Sequence, residues 1–294
     1  MQTPWGNLQV SDAHVHFFSS RFLEALGGQC GKEAREVAEL AGWDPPANAE
    51  ELARRWVEEF DRYGVARSSL IASIPGDEAS VLAAAAACPG RFYAFAMVNP
   101  MQEDAGIAEG LDAICLFPAM HRYSLHDPRV DALLQQAAAR HCAVFVHCGV
   151  LTVGVRKKLG LPSPFDMRFS NPLDVHGIAM RYPQISFIVP HFGAGYFREA
   201  LMLADLCPNV YLDTSSTNSW MRYEAYDLPA VLRRALDVVG PRRLLFGTDS
   251  SFFPRGWNQA IFELQVHALS NLGIGAEAAR LILGENLQRI LSES

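Results

Sequence analysis

The chain has 294 residues, half of them hydrophobic, and a formal net charge of −7, a balance that excludes the basic footprint of a nucleic-acid binder. No apolar run approaches the roughly 18 residues needed to span a bilayer, and the segment Met1-Gln2-Thr3-Pro4-Trp5 lacks the basic and hydrophobic stretches of a secretory leader. Six cysteines without a Cys-X-X-Cys pair read as reduced thiols in a soluble, cytoplasmic protein.

No repeat, low-complexity tract or linker divides the sequence, so residues 1–294 are expected to form one domain. The first informative pattern is Ser11-Asp12-Ala13-His14-Val15-His16, at the end of an apolar segment that begins near Leu8. On an extended strand residues two apart share a face, which puts Asp12, His14 and His16 on one side. Two imidazoles then converge, and neutral imidazole is the commonest protein ligand for a transition metal. A pair of core or surface histidines is the plainer reading of an isolated His-X-His.

From Phe17 to Asn48 the composition turns polar and Gly-rich, ending in Asp44-Pro45-Pro46, and reads as a loop excursion. Asn48, with Glu51 three residues on, opens a helix that runs through Tyr63 and stops at Gly64. Strands then follow at 67–74, 92–98, 113–117, 142–147, 185–189, 210–214 and 243–248. Helices alternate with them: an alanine-rich one at 77–88, a weaker one up to Gly110, one opened by Asp127-Pro128, and others at 171–182, 196–206 and 229–239. The tail is helical over 258–270, 276–283 and 284–291. Eight apolar strands, each followed by a helix, imply an α/β fold with a parallel sheet covered on its outer face. Eight such units close into a (β/α)8 TIM barrel, here with extra helices at the C-terminus.

Such a barrel places its active site at the C-terminal ends of its strands. His14 and His16 end the first strand, His147 the fifth, His191 the sixth and Asp249 the eighth. Five metal-competent side chains at one rim point to a metal site, because burying so many polar groups without partners is costly.

That order, together with Asp12-Ala13-His14-Val15-His16, His147-Cys148-Gly149, His191-Phe192-Gly193-Ala194-Gly195, Gly247-Thr248-Asp249 and Gly284-Glu285-Asn286-Leu287, resembles the amidohydrolase superfamily in its amidohydrolase-2 (amidohydrolase-related) branch. The resemblance spans residues 8 to 291. It implies one divalent metal, zinc foremost and manganese as an alternative, held by His14, His16, His147 and Asp249, with His191 beside it as electrophile or general base. Such a metal lowers the pKa of its water to about 7, and Asp249 and His191 are the implied catalytic pair. Asp12 is either an acceptor fixing an imidazole tautomer or part of the inner packing. Binuclear members carry a lysine or glutamate on the fourth strand, where this chain has Cys115 and Phe117. Cys115 reads as an inert buried thiol, leaving a single metal.

Substrate contacts are expected from the loops that follow the strands, where cations sit beside aromatic residues. Arg222, Arg255, Trp257 and His121 are the candidates, suited to a small-molecule substrate with a carboxylate and an apolar body. The expected reaction is hydrolysis of a lactone, ester or amide. Non-oxidative decarboxylation of an aromatic or unsaturated acid is the alternative within the same branch, and a barrel that binds without catalysis is the third reading. No nucleic-acid or membrane partner is expected, and Trp5 or Trp43 would suit the interface of a homo-oligomer.

Overall fold

In the computed structural model, which describes residues 1–163, 165–215 and 219–292, eight strands form one parallel sheet: β1 Val10–Phe17, β2 Val65–Ala72, β3 Phe92–Met97, β4 Ala113–Leu116, β5 Ala143–Val146, β6 Phe187–Val189, β7 Val210–Asp213 and β8 Leu244–Leu245. They pair in chain order. The barrel closes between its last and first strands. Ala13 N–H donates to the Phe246 carbonyl at 2.8 Å, Asp249 N–H to the His14 carbonyl at 3.0 Å, and His16 N–H to the Ser250 carbonyl at 2.7 Å. A short hairpin, Gln2–Thr3 with Gly6–Asn7, precedes β1.

The segment 17–48 is not a loop. It holds two helices, α1 Ser20–Cys30 and α2 Ala34–Ala41, the first capped by Ser19 accepting Phe22 N–H at 3.1 Å. Phe22, Leu23, Leu26, Val37 and Ala38 bury together with Val155, from the stretch after β5, in a cluster separate from the barrel's own core. The glycines and charges of the segment outweigh this apolar stripe in composition, although its spacing is helical.

The next helices follow the expected caps. Helix α3 (Ala49–Tyr63) begins with Asn48 accepting Glu51 N–H at 2.8 Å and ends at left-handed Gly64. After α4 (Glu78–Ala87), the weaker helix expected before Gly110 does not form, and residues 98–112 contain only turns and irregular backbone. Asn99 folds back there to accept Met101 N–H at 3.1 Å, a local bond that competes with helix. The strand–helix alternation is therefore broken once, between β3 and β4. It resumes with α5 (Pro118–His121), α6 (Pro128–Ala139), α7 (Gly154–Lys158), α8 (Asp174–Arg181), α9 (Phe197–Leu206) and α10 (Leu228–Val239), and the tail forms α11 (Gln259–Asn271), α12 (Ala276–Arg280) and α13 (Asn286–Ser292). No helix among the described residues is long and apolar enough to cross a membrane.

Side chains inside the barrel, including Ile71, Phe95, Phe145, Ile188 and Leu245, form one apolar cluster, with Leu287, Ile290 and Leu291 packed onto it. A second, larger cluster lies between the strands and their helices. Strand alternation sorts residues between the two: Phe145 faces in, Val144 and Val146 out.

Candidate metal centre

β1 departs from strict alternation where the chemistry sits. Its register against β2 slips between Asp12 and Val15, an irregularity that re-aims side chains at a strand end. His14 and His16 are carried toward each other, their Nε2 atoms 3.4 Å apart. Asp12 does not share their face as expected. It is fully buried, and its hydrogen bonds go elsewhere: Oδ1 accepts His14 N–H (2.9 Å) and Thr248 N–H (3.1 Å), and Oδ2 accepts Thr248 Oγ1–H (2.6 Å) and Trp257 Nε1–H (2.8 Å). Asp12 thus stitches the first half of β1 to the segment after β8. Burial pushes its carboxyl up to about 6, although the hydrogen bonds from Thr248, His14 and Trp257 oppose the shift.

Asp249 completes the cluster. Its Oδ1 lies 3.3 Å from His16 Nε2 and 3.7 Å from His14 Nε2. Burial alone would raise Asp249, but the imidazoles of His16, His14 and His191 around it hold it well below the usual carboxylate range. Asp249 and His191 both adopt left-handed backbone, φ 59° and 56°, which a non-glycine residue takes at some cost and which clusters at functional sites.

The far nitrogen of each imidazole is already committed. His14 Nδ1 lies 2.7 Å from Asp213 Oδ2, and His16 Nδ1 lies 2.8 Å from Ser73 Oγ, whose own proton goes to the Ile71 carbonyl at 3.1 Å. Each Nδ1 is therefore the donor, and each Nε2 presents a lone pair toward the other and toward a carboxylate oxygen. Three donor atoms facing one point could hold a cation. Ligands about 2.0–2.2 Å from a tetrahedral ion stand roughly 3.3–3.6 Å from one another, close to the distances found here. Among the described residues, His14, His16 and Asp249 form the group whose ligand atoms all fall within 4.8 Å of one another.

His147 stands outside that trio. Its ring stacks on Phe117 (5.1 Å) and meets His191 edge-on (5.4 Å). Among the described residues its buried Nδ1 has no hydrogen-bond partner, and burial with the neighbouring His191 and His14 keeps it neutral, far below its ordinary value. A neutral, unpartnered nitrogen of this kind suits a metal ligand. His191 is also held below its ordinary value, by burial and by His14, and its ring centroid lies 4.8 Å from that of His14. Cys115 lies inside the barrel and fully buried, its thiol pushed far up by burial, consistent with the inert thiol expected.

Asp213, at the end of β7, is not among the residues the sequence points to. The signal for Asp213 in the sequence is an acidic residue ending an apolar strand, as at Asp249. Two motif glycines have steric reasons. A Cβ on Gly247 would lie 2.8 Å from Asp213 Oδ1, 2.9 Å from Ser215 Cβ and 3.0 Å from His14 Cβ; one on Gly149 would lie 2.1 Å from the Gly193 carbonyl oxygen.

The cluster opens into a cavity of about 660 Å³ whose lining includes His16, His147, His191 and Asp249. One wall is a run of rings: His16 on Phe18 (5.6 Å), Phe18 on Trp43 (5.1 Å), Trp43 on Phe252 (4.9 Å). Arg255 covers the Phe252 ring at 4.5 Å and donates to the Asp249 carbonyl (3.1 Å) and to Ser251 Oγ (2.7 Å). Of the expected substrate contacts, Arg255 and His121 line the cavity. Arg222 and Trp257 do not: Arg222 is exposed against Tyr223, and Trp257 is buried on Asp12. Burial lowers His121 to about 4, so it is neutral.

A family model described as Amidohydrolase matches residues 11–292. Among curated proteins, Protein fluG of Emericella nidulans is 38% identical over 85 residues, a stretch that makes up 29% of this chain and only 10% of that much longer protein. Solved structures similar in fold include an uncharacterized TIM-barrel protein of Bordetella bronchiseptica (TM-score 0.64, 18% identity, 97% of this chain and 99% of that one). An amidohydrolase of Burkholderia multivorans with bound zinc matches at TM-score 0.62 and 14% identity over 97% and 99% of the two chains. A 5-carboxyvanillate decarboxylase of Novosphingobium aromaticivorans, complexed with manganese and 4-hydroxy-3-methoxy-5-nitrobenzoic acid, matches at TM-score 0.63 and 13% identity over 99% of both. At such identities the likeness is one of fold.

Proposed function

The chain belongs to the amidohydrolase family, and on that premise we propose that it is a metal-dependent hydrolase acting on a lactone, ester or amide of a small carboxylate-bearing molecule. The observation that carries the reading is the convergence of His14 Nε2, His16 Nε2 and Asp249 Oδ1, with both Nδ1 atoms tied down behind them. These three residues would hold one divalent cation, with the unpartnered His147 as fourth ligand. Zinc is the preferred ion and manganese the alternative; the structural neighbours include a protein with each. A bound cation supplies Lewis acidity and makes water a nucleophile near neutral pH.

The rest is the work of the chain's own groups. Asp249 stays ionised at neutral pH, so it can take a proton at the site and return it to a leaving group. His191, neutral and with its ring centroid 4.8 Å from that of His14, is placed to take up a proton from substrate or water. The Phe18, Trp43 and Phe252 rings take up the apolar body and exclude water, and Arg255 anchors the carboxylate.

The same Arg255 and ring wall favour a second reading, decarboxylation of an aromatic acid, the chemistry named for one of the fold neighbours. To separate the two, zinc-loaded protein is offered a panel of lactones, amides and aromatic carboxylic acids while acid release and carbon dioxide are followed together. Acid release that disappears after chelation supports hydrolysis. Carbon dioxide release without ring or amide opening replaces it with the second reading.

A further inference from the structure

Ser215 has no part in the reading above, yet it sits between the two histidines that matter most. Its Oγ lies 3.0 Å from His14 Nδ1 and 2.8 Å from His191 Nδ1, and its backbone carbonyl lies 3.3 Å from the same His191 nitrogen. Ser215 is 1% exposed, and its backbone N–H donates to Asp213 Oδ1, the carboxylate whose other oxygen takes the His14 proton. The position is built. Gln265, itself buried, donates to the carbonyls of Thr214 (2.9 Å) and Gly247 (3.1 Å) and fixes the turn before Ser215. The missing side chain of Gly247 leaves room for the Ser215 Cβ.

We propose that Ser215 is a positioning residue that fixes His191 in the tautomer with its proton on Nδ1, leaving a bare Nε2 as the nitrogen that meets the substrate. The argument is one of donors and acceptors. A carbonyl oxygen can only accept, so the Nδ1 it faces carries a proton. The single proton on His14 Nδ1 is committed to Asp213, the shorter contact, so it leaves the Ser215 hydroxyl oxygen free to accept from His191. Ser215 thereby ties His191 to the Asp213 and His14 pair, and the residue beside the metal and the residue that binds it are held by one buried unit. A neutral imidazole with bare Nε2 accepts a proton from substrate or water; the opposite tautomer could only donate there. The assignment rests on the proposed site insofar as His191 is taken to work on a substrate, and the tautomer itself can be read without one.

The test is a long-range proton–nitrogen NMR spectrum of histidine-labelled protein, chelator-washed and then loaded with zinc, with the His191 signals assigned by their loss in His191→Asn. The wild type should show His191 with protonated Nδ1 and bare Nε2 in both states. Ser215→Ala should raise the population of the Nε2-protonated form roughly three- to tenfold, the scale of one lost hydrogen bond, while zinc still binds at the wild-type ratio. A wild-type spectrum with the proton on Nε2 overturns the proposal, whether or not the variant folds. An unchanged tautomer in Ser215→Ala overturns the role of the hydroxyl. Refusal of zinc by wild type, with the His191 tautomer as assigned, would count against the metal reading and leave Ser215 standing.

Discussion

Asp213 Oδ2 lies 2.7 Å from His14 Nδ1, and both residues are buried, 0% and 1% exposed. Burial alone would lower His14, but the charge and hydrogen bond of Asp213 more than offset it and raise the imidazole above its ordinary value. A carboxylate behind a ligand imidazole fixes its orientation and makes it more basic toward a metal.

Asp213→Asn keeps the shape but removes one acceptor. Its amide cannot accept from both His14 Nδ1 and Ser215 N–H, so His14 is pressed to move its proton to Nε2 and lose the lone pair that faces Asp249. Zinc affinity is expected to fall about 10- to 100-fold with folding retained, measured by competition against a chromophoric chelator. Unchanged affinity would show that Asp213 only fills space.

Asp12 gives a pH dependence with a definite sign. Its carboxyl is raised from 3.8 to about 6 by burial, so the folded protein holds this proton where the unfolded chain has released it. Stability from this group is therefore greatest at low pH and falls as pH rises from about 4 to about 6, by about 3 kcal/mol in all. Urea unfolding of metal-free wild type and Asp12→Asn across that window should show the difference between them shrinking or reversing as pH rises. A constant difference would contradict the burial of an ionisable Asp12.

At Gly247→Ala the new methyl meets Asp213, Ser215 and His14 together. A loss of about 1–3 kcal/mol and weaker zinc binding are expected. Gly28→Ala, in the last turn of α1, whose Cβ would meet nothing within 4 Å, should be neutral or stabilising. Equal effects in the two variants would remove the steric explanation.

Arg255→Lys tests the anchor. Lysine keeps the charge but loses the planar fork and its stacking on Phe252. KM for an anionic substrate is expected to rise at least about tenfold, about 1.4 kcal/mol, with zinc content unchanged and a neutral analogue unaffected. A fall in kcat alone would place Arg255 in the chemistry instead.

Strand order and most of the rim were legible because each signal is local. Apolar runs ended by Pro, Gly or His mark strand ends, and the barrel then brings His14, His16, His191 and Asp249 to one place. What was missed depends on contacts distant in sequence. Asp213 reaches His14 across 199 positions, and nothing near either residue announces the pair. Trp257 looked like a binding-loop aromatic, but its indole N–H is taken by Asp12 across 245 positions. The slip in β1 turned Asp12 away from the histidines, which period-two counting cannot foresee. The helices of residues 17–48 were hidden by composition, although Phe22, Leu23 and Leu26 carried the spacing.

The most direct test of the metal site is titration of chelator-washed protein with zinc, read as equivalents bound per chain, in wild type and in His14→Ala, His16→Ala and Asp249→Asn. One equivalent in the wild type, lost or greatly weakened in all three variants, is the predicted result. No binding by the wild type, or binding that survives all three substitutions, would contradict the site described.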